Sequence, residues 1–246
     1  MDQLEGSPLE LVVCQLQFAE SVKASSQDVG EGMRDALSAA FGEYALERFA
    51  PQAVFQLAIG QGAPTEMPGW RLNSGPWSVT ITGEALTIET SAYSEWPEFR
   101  SVFEVALDTV AKQATPTSEQ RLGLRYVNRI ERRDVQRPND WTPWIQPWIL
   151  GSVAHEGLGE AVLSIQQQVD FDAGEGLRTT LRSAIYSDAA RRGRAICLLD
   201  FDSYRLGYRR FKSKDILETC DGLRRLTLKM FQASITEDLY KEFAGA

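Results

Sequence analysis

Three runs in the sequence set charged residues at strand spacing. In Arg121–Ile130 (RLGLRYVNRI), alternation puts Arg121, Gly123, Arg125, Val127 and Arg129 on one face and Leu122, Leu124, Tyr126, Asn128 and Ile130 on the other. In Leu177–Tyr186, Arg178, Thr180 and Arg182 share a face, and in Arg194–Phe201 and just beyond it Asp200 and Asp202 share one. A guanidinium is a planar fork of donors matched to carboxylate or phosphate, so strands carrying Arg and Asp can pair internally or present an anion-binding surface. Two arrangements fit. One is an internal Arg–Asp network across a sheet face that fixes strand register. The other is an open basic face for phosphate or a partner's carboxylates. Arg191, Arg192 and Arg194 on a turn, and Arg205, Arg209 and Arg210 beyond the aspartates, read as solvent-facing. Trp141, Trp144 and Trp148, interleaved with Pro143 and Pro147, form a second candidate. They read as a wedge packed between two halves, or as an exposed docking cluster or base-stacking platform.

Other chemistries lack their residues. His155 is the only histidine and sits in a Gly-rich stretch (VAHEGLGE) that reads as an exposed loop. Without a second histidine, CxxC or HExxH, a His- or Cys-based zinc site has no ligands. No lysine follows a glycine, no serine sits in GxSxG, and GxGxxG is absent, which removes P-loop, nucleophile-elbow and dinucleotide fingerprints. None of the six lysines has an acid two residues before it, the D/E-x-K half of a common metal-dependent nuclease site. Ala195–Asp202 (AICLLDFD) resembles the opening of haloacid-dehalogenase-type phosphatases. Ser203-Tyr204 stands where their glycine-threonine belongs, and too little chain follows for the rest of that domain. Asp200 and Asp202 still leave an alternative: carboxylates alone can hold Mg²⁺, so a nucleotide- or nucleic-acid-processing enzyme remains a second reading.

The chain has 246 residues, enough for a core that needs no staples, with 43% hydrophobic and 24% charged residues. Its net charge of −8 is uneven: six cations face 17 acids up to residue 120, and 20 cations face 17 acids after it. Cys14, Cys197 and Cys220 are an odd number set in apolar sequence and read as buried free thiols. No stretch approaches the roughly 18 apolar residues of a membrane span. The acidic MDQLEGSPLE start lacks the pattern of a secretory signal, so the expected location is cytoplasmic.

The elements that must position these residues follow from periodicity. Leu9–Ala19 reads as a strand with Val12, Cys14, Leu16 and Phe18 on one face. A helix follows, capped from Ser25–Asp28, striped by Val29, Met33, Leu37 and Phe41, and closed by Pro51. Ala53–Ile59 reads as a second strand. Val79–Thr90 reads as a hairpin through a type II′ turn at Gly83-Glu84, pairing Ile81 with Leu86, Thr80 with Thr87, and Val79 with Ile88. Ser94 is expected to cap a helix through Trp96, Phe99, Phe103, Leu107 and Val110, ended by Pro116. Arg121–Arg132 reads as a long strand and Pro138–Gly151 as a short helical or turn segment. Three strand-like runs follow at Ala161–Phe171, Leu177–Tyr186 and Arg194–Phe201, the last two joined by a turn at Asp188–Gly193. A long helix begins at Ser213, and Ser234-Ile235-Thr236-Glu237 has the spacing of a capping box that restarts a short final helix. The order β-α-β-β-β-α-β, then β-β-β-α, implies an α+β fold of mainly antiparallel sheet backed by helices. Residues 1–246 read as one compact unit with a weak division into halves, 1–137 and 138–246, each a sheet with its helices.

Several segments carry a resemblance. PLELVVCQLQF, the WPEF helix opening after Tyr93, RLGLRYVNRI, GLRTTLR, LLDFD and the terminal F-x-x-SIT-x-x-L together resemble a sporadically distributed, uncharacterised bacterial family of about this length, and the resemblance spans nearly the whole chain. It implies no assigned activity and no catalytic residues to carry over. The family's patchy distribution implies mobile-element or defence-type gene neighbourhoods. With no catalytic residue, metal or cofactor assigned, the expectation is a non-enzymatic binding or regulatory component, with a defence or toxin–antitoxin type system as its setting. It would dock a protein partner or an anionic ligand, nucleic acid included, through the Arg-rich face or the Trp segment.

Overall fold

The computed structural model describes residues 7–20, 22–24, 26–49, 69–188 and 194–245. The strands are β1 (Leu9–Phe18), β2 (Ala45–Phe49), β3 (Gly69–Ser74), β4 (Trp77–Ile81), β5 (Ala85–Thr90), β6 (Ser118–Ile130), β7 (Ser164–Gly174), β8 (Leu177–Asp188) and β9 (Arg194–Arg210). The helices are α1 (Gln27–Phe41), α2 (Trp96–Gln113), α3 (Pro147–Leu150), α4 (Ser213–Ser234) and α5 (Glu237–Phe243), with single 3₁₀ turns around α3. All nine strands join one antiparallel sheet in the order β2-β3-β4-β5-β1-β6-β9-β8-β7. The fold is α+β, as the element order implies.

The topology repeats. The two halves divide before β6 and not at residue 137, and in each a first strand (β1 or β6) is followed by a helical excursion. A meander then returns its last strand (β5 or β9) to the side of the first, and a long helix (α2 or α4) closes the unit. β1 and β6 pair antiparallel at the centre, so the halves form one sheet rather than one sheet each. One face of this sheet is covered. Val12, Cys14, Leu16 and Phe18 pack with Leu122 and Leu124 beneath α1, α2 and the start of α4. Leu181, Ile185, Cys197, Leu199 and Phe201 pack beneath the Trp141–Val153 segment, Phe231 and α5. No helix among the described residues is long and apolar enough to cross a membrane.

The hairpin register is the expected one: Ile81 faces Leu86, Thr80 faces Thr87, and Val79 faces Ile88. Its turn is not type II′, because Gly83 does not take the positive φ that position demands. Thr82 organises the turn instead, its hydroxyl accepting from the amides of Glu84 and Ala85. The tight glycine-first turn lies one hairpin earlier, where Gly75 (φ 54°) and Pro76 link the paired Ser74 and Trp77.

Other boundaries move. α1 ends at Phe41, ten residues before Pro51, because Gly42 (φ 94°) breaks the helix and β2 begins at Ala45. The expected strand Ala53–Ile59 lies outside the described residues, and β2 and β3 flank that gap. The N-cap of α2 is Glu95; Ser94 instead bonds the Glu98 carboxylate. The final helix is capped by Thr236 rather than Ser234, its hydroxyl accepting from Leu239 N. β9 runs on to Arg210, past the predicted end at Phe201.

Candidate functional site: the open sheet face

The face opposite the helices carries the polar parity of every strand. In the first half its charges are dispersed among amides and hydroxyls: Gln17 donates to Gln15 (3.1 Å), Gln15 to the Thr87 hydroxyl (3.2 Å) and Arg71 Nε to the Thr80 hydroxyl (3.4 Å), with Glu89 two positions beyond Thr87. In the second half the charges are concentrated. Arg125 donates from Nε and Nη2 to the two carboxylate oxygens of Asp200, at 2.7 and 2.8 Å. Arg121 donates from Nη2 to both oxygens of Asp202 at 2.9 Å. Arg182, directly opposite Asp200 on β8, brings Nη1 within 3.7 Å of Oδ2. Asp200 thus sits between arginines from two strands, and the Asp200 bond raises the already high Arg125 value.

The arginines lean diagonally rather than straight across: Arg125 lies opposite Asp202 but bonds Asp200, and Arg121 lies opposite Leu206 but bonds Asp202. Gly123 makes the second reach possible. A Cβ there would lie 2.4 Å from Arg121 Nη1, in the space the guanidinium crosses before stacking over Tyr204, 5.0 Å from its ring centroid.

Burial within these pairs is unequal. The Asp200 side chain is 5% exposed, whereas Arg125 is 41% and Arg182 is 33% exposed. The carboxylate lies beneath and the guanidiniums lie above, so the surface shown to solvent is guanidinium. Arg178 is exposed, faces Tyr204 and Asp172 across its two neighbours, and makes no ion pair or hydrogen bond among the described residues. Arg129 leaves the ladder for Glu131 (2.7 Å) and Glu10 (3.8 Å). Beyond β8 the sign changes again, with Asp170 accepting from Thr180 on the edge strand.

The structure does not bring the tryptophans to this face. Trp141 is fully buried in the second core cluster, and Trp144 lies under Arg132, whose Cζ is 3.5 Å from the ring centroid. Trp148 is half-exposed, donates to the Ala233 carbonyl (2.9 Å) and meets Phe171 edge to face at 5.9 Å. All three stand on the helix side of the sheet. His155 is exposed in a turn.

One expectation about the arginines is overturned. Arg209 and Arg210 are exposed, but Arg205 is buried on the covered face, where it bonds Glu119 and the Thr219 hydroxyl. Arg191 and Arg192 lie outside the described residues. Glu119, 1% exposed, is the residue that sequence reasoning missed. Strict alternation would place it with Arg121. Bulges break the alternation: between Phe18 and Gln17 the partner on β6 jumps from Glu119 to Arg121, and β9 carries an extra residue beside Gly207 (φ 116°). Glu119 therefore turns to the helix side, where burial raises its carboxyl above the usual range against the lowering effect of Arg205. Glu119 Oε2 and Arg205 Nε have no hydrogen-bond partner among the described residues. Buried hydroxyls lie nearby: Thr227 donates to Ser203 (2.8 Å), which is 2.9 Å from Thr179.

Two thiols far apart in sequence also meet. Cys14 on β1 and Cys220 on α4 are free, buried and 3.6 Å apart at Sγ. Contact with Cys14, together with burial, raises the Cys220 thiol well above its ordinary value. Among the described residues no group of three His, Cys, Asp or Glu side chains is placed to hold a metal. No family model matches the chain, and no curated protein matches it.

Proposed function

We propose that this chain is a non-catalytic binding component that docks an acidic segment of a protein partner on the charged half of its open sheet face. The observation that carries the reading is the layering of Asp200 under Arg125 and Arg182. A buried carboxylate orients the guanidiniums before any partner arrives, so little side-chain freedom is lost on docking. Arg125 keeps Nη1 free of its Asp200 pair, and Arg178 has its whole fork free among the described residues. Carboxylates spaced along an extended segment can meet these groups, and the same charges favour encounter with acidic partners.

A nucleic acid is less well served, because Asp170 and Asp172 on the next strand would oppose a continuous phosphate backbone and the chain as a whole carries −8. The Mg²⁺ reading gains no support from Asp200 and Asp202, each of which already has both oxygens engaged by arginine. The family resemblance, with its mobile-element or defence-type gene neighbourhoods, makes a protein encoded beside this chain's own gene the first partner to try.

The test is titration with a synthetic peptide alternating Glu and Ala, read by calorimetry at low and high salt. Wild type should bind at low salt and lose affinity as salt rises. Arg178→Gln, at a position without partners among the described residues, should keep its melting temperature and lose binding at least ten-fold, about 1.4 kcal/mol. Equal binding by both proteins, or none by wild type, would refute this use of the face.

A further inference from the structure

Among the described residues the sheet ends in two unlike edges. β2 is five residues long and carries Glu47 and Arg48. β7 is eleven residues long and contains no Lys, Arg or Pro. An unpaired strand offers a row of free amides and carbonyls, and proteins usually blunt such edges with short strands, lysine or proline. β2 is blunted in this way and β7 is not. β7's only charges, Asp170 and Asp172, lie in its second half on the open face.

β7's other face continues the helix-covered side, with Ile165, Gln167, Val169 and Phe171 at successive positions. Ile165 and Phe171 are partly covered from within the chain, Phe171 by Trp148. Val169 is 37% exposed, and Leu163, just before the strand, is 84% exposed, the highest value among the exposed large apolar side chains. The apolar positions therefore run past what the chain itself covers.

The sequence of this edge is complementary to itself. When two copies run antiparallel about a two-fold axis at Gln167, Ile165 faces the partner's Val169 and Leu163 faces the partner's Phe171. On the other side Gln166 faces the partner's Gln168 and Ser164 the partner's Asp170. Apolar meets apolar, amide meets amide, and no like charges stand opposite. Moving the axis to Gln168 sets Leu163 against Ala173 and Val169 against Gln167. An axis at Asp170 or Phe171 opposes aspartates.

We propose that β7 is a self-association edge, on which a second copy of this chain pairs antiparallel about an axis at Gln167 and continues the sheet. This does not depend on the docking role of the open face, which both copies would retain. An edge pairing of this length is at the small end of stable interfaces, roughly 1,200 Å² or less, so the dimer forms in the micromolar range.

Sedimentation of the full chain over a concentration series tests the association. Wild type should approach twice the chain mass as concentration rises. Leu163→Lys and Val169→Lys should stay at the chain mass with unchanged melting temperature, since both side chains are exposed. The register is tested by disulfide trapping, because the three native cysteines are buried and an introduced thiol reacts alone. Gln166→Cys and Gln168→Cys, tagged to differ in size, should cross-link to each other under oxidised glutathione, and neither should cross-link to itself. A wild-type protein that stays at the chain mass up to about 100 µM, well above a micromolar dissociation constant, overturns the proposal. So does a dimer that survives both lysine substitutions. Gln168→Cys cross-linking to itself overturns the axis at Gln167.

Discussion

β6 and β9 exchange Arg–carboxylate pairs on both faces of one sheet, and the two faces treat the same chemistry differently. On the helix side, Glu119 and Arg205 are 1% and 8% exposed at their side chains, with Glu119 Oε2 and Arg205 Nε unbonded among the described residues. On the open side, Asp200 is bonded at both oxygens and its partner Arg125 stays 41% exposed. Burying both charges carries a desolvation cost that incomplete hydrogen bonding does not recover, whereas burying only the carboxylate lets water solvate the guanidinium. The covered pair is therefore tied to fold integrity, and the open pairs leave charge available for recognition.

The largest effect expected from breaking this contrast is at Arg205. Arg205→Ala leaves Glu119 alone in the core and should cost about 3–5 kcal/mol in urea unfolding, a large share of a typical total of about 5–15 kcal/mol. Replacing both partners with apolar residues, Glu119→Leu with Arg205→Met, should recover most of that loss. A double variant as unstable as Arg205→Ala would mean that the pair itself, not its burial, sets stability.

The next effect is in pH dependence. Glu119 has a folded-state value above its unfolded one, so the folded chain holds that proton more tightly. Its contribution is fully present below the ordinary glutamate range and is lost as pH rises through the raised value. Glu119→Gln should flatten the fall in stability across that window. An unchanged slope would show that Arg205 keeps the group ionised throughout.

A smaller effect is expected at Gly123. A methyl group there meets the flexible end of Arg121 rather than backbone, so Gly123→Ala should displace the guanidinium from Asp202 at a cost under about 1 kcal/mol, the scale of a partly exposed ion pair. A crystal structure of the variant should show Arg121 swung off Tyr204. An undisturbed Arg121–Asp202 pair would contradict the close-approach account of this glycine.

The sequence makes the open face legible because a regular strand needs only parity: Arg121, Arg125, Arg182, Asp200 and Asp202 alternate without interruption, and the β4–β5 register follows from apolar meeting apolar. It hides what breaks parity. Glu119 lies beyond a bulge that shifts the alternation, whereas Arg205 keeps the parity of Phe201 and Ser203 and is hidden only because the apolar run that predicts β9 stops at Phe201. The turn at Gly83 was misjudged because Thr82 offers the backbone a side-chain acceptor that competes with glycine's left-handed geometry. The end of α1 was misplaced because Pro51 is the stronger breaker, while Gly42 acts first. The Cys14–Cys220 contact joins residues 206 positions apart, and no local pattern reports such a pair. Layering along the Arg–Asp pairs is equally invisible, since parity names the face and not the depth.

The account rests on Asp200 holding Arg125 in place from beneath, and a double-mutant cycle on these two residues tests it most directly. In urea unfolding, Arg125→Ala should cost about 1–2 kcal/mol, moderated by solvent and by Arg182 remaining 3.7 Å from Asp200. Asp200→Ala should cost at least as much, because it releases two guanidiniums. The double variant should be less unstable than the sum, with a coupling energy of about 1–2 kcal/mol. Additive losses, with coupling near zero, would contradict the account: Arg125 would then be an ordinary surface cation resting beside Asp200, not a group positioned by it.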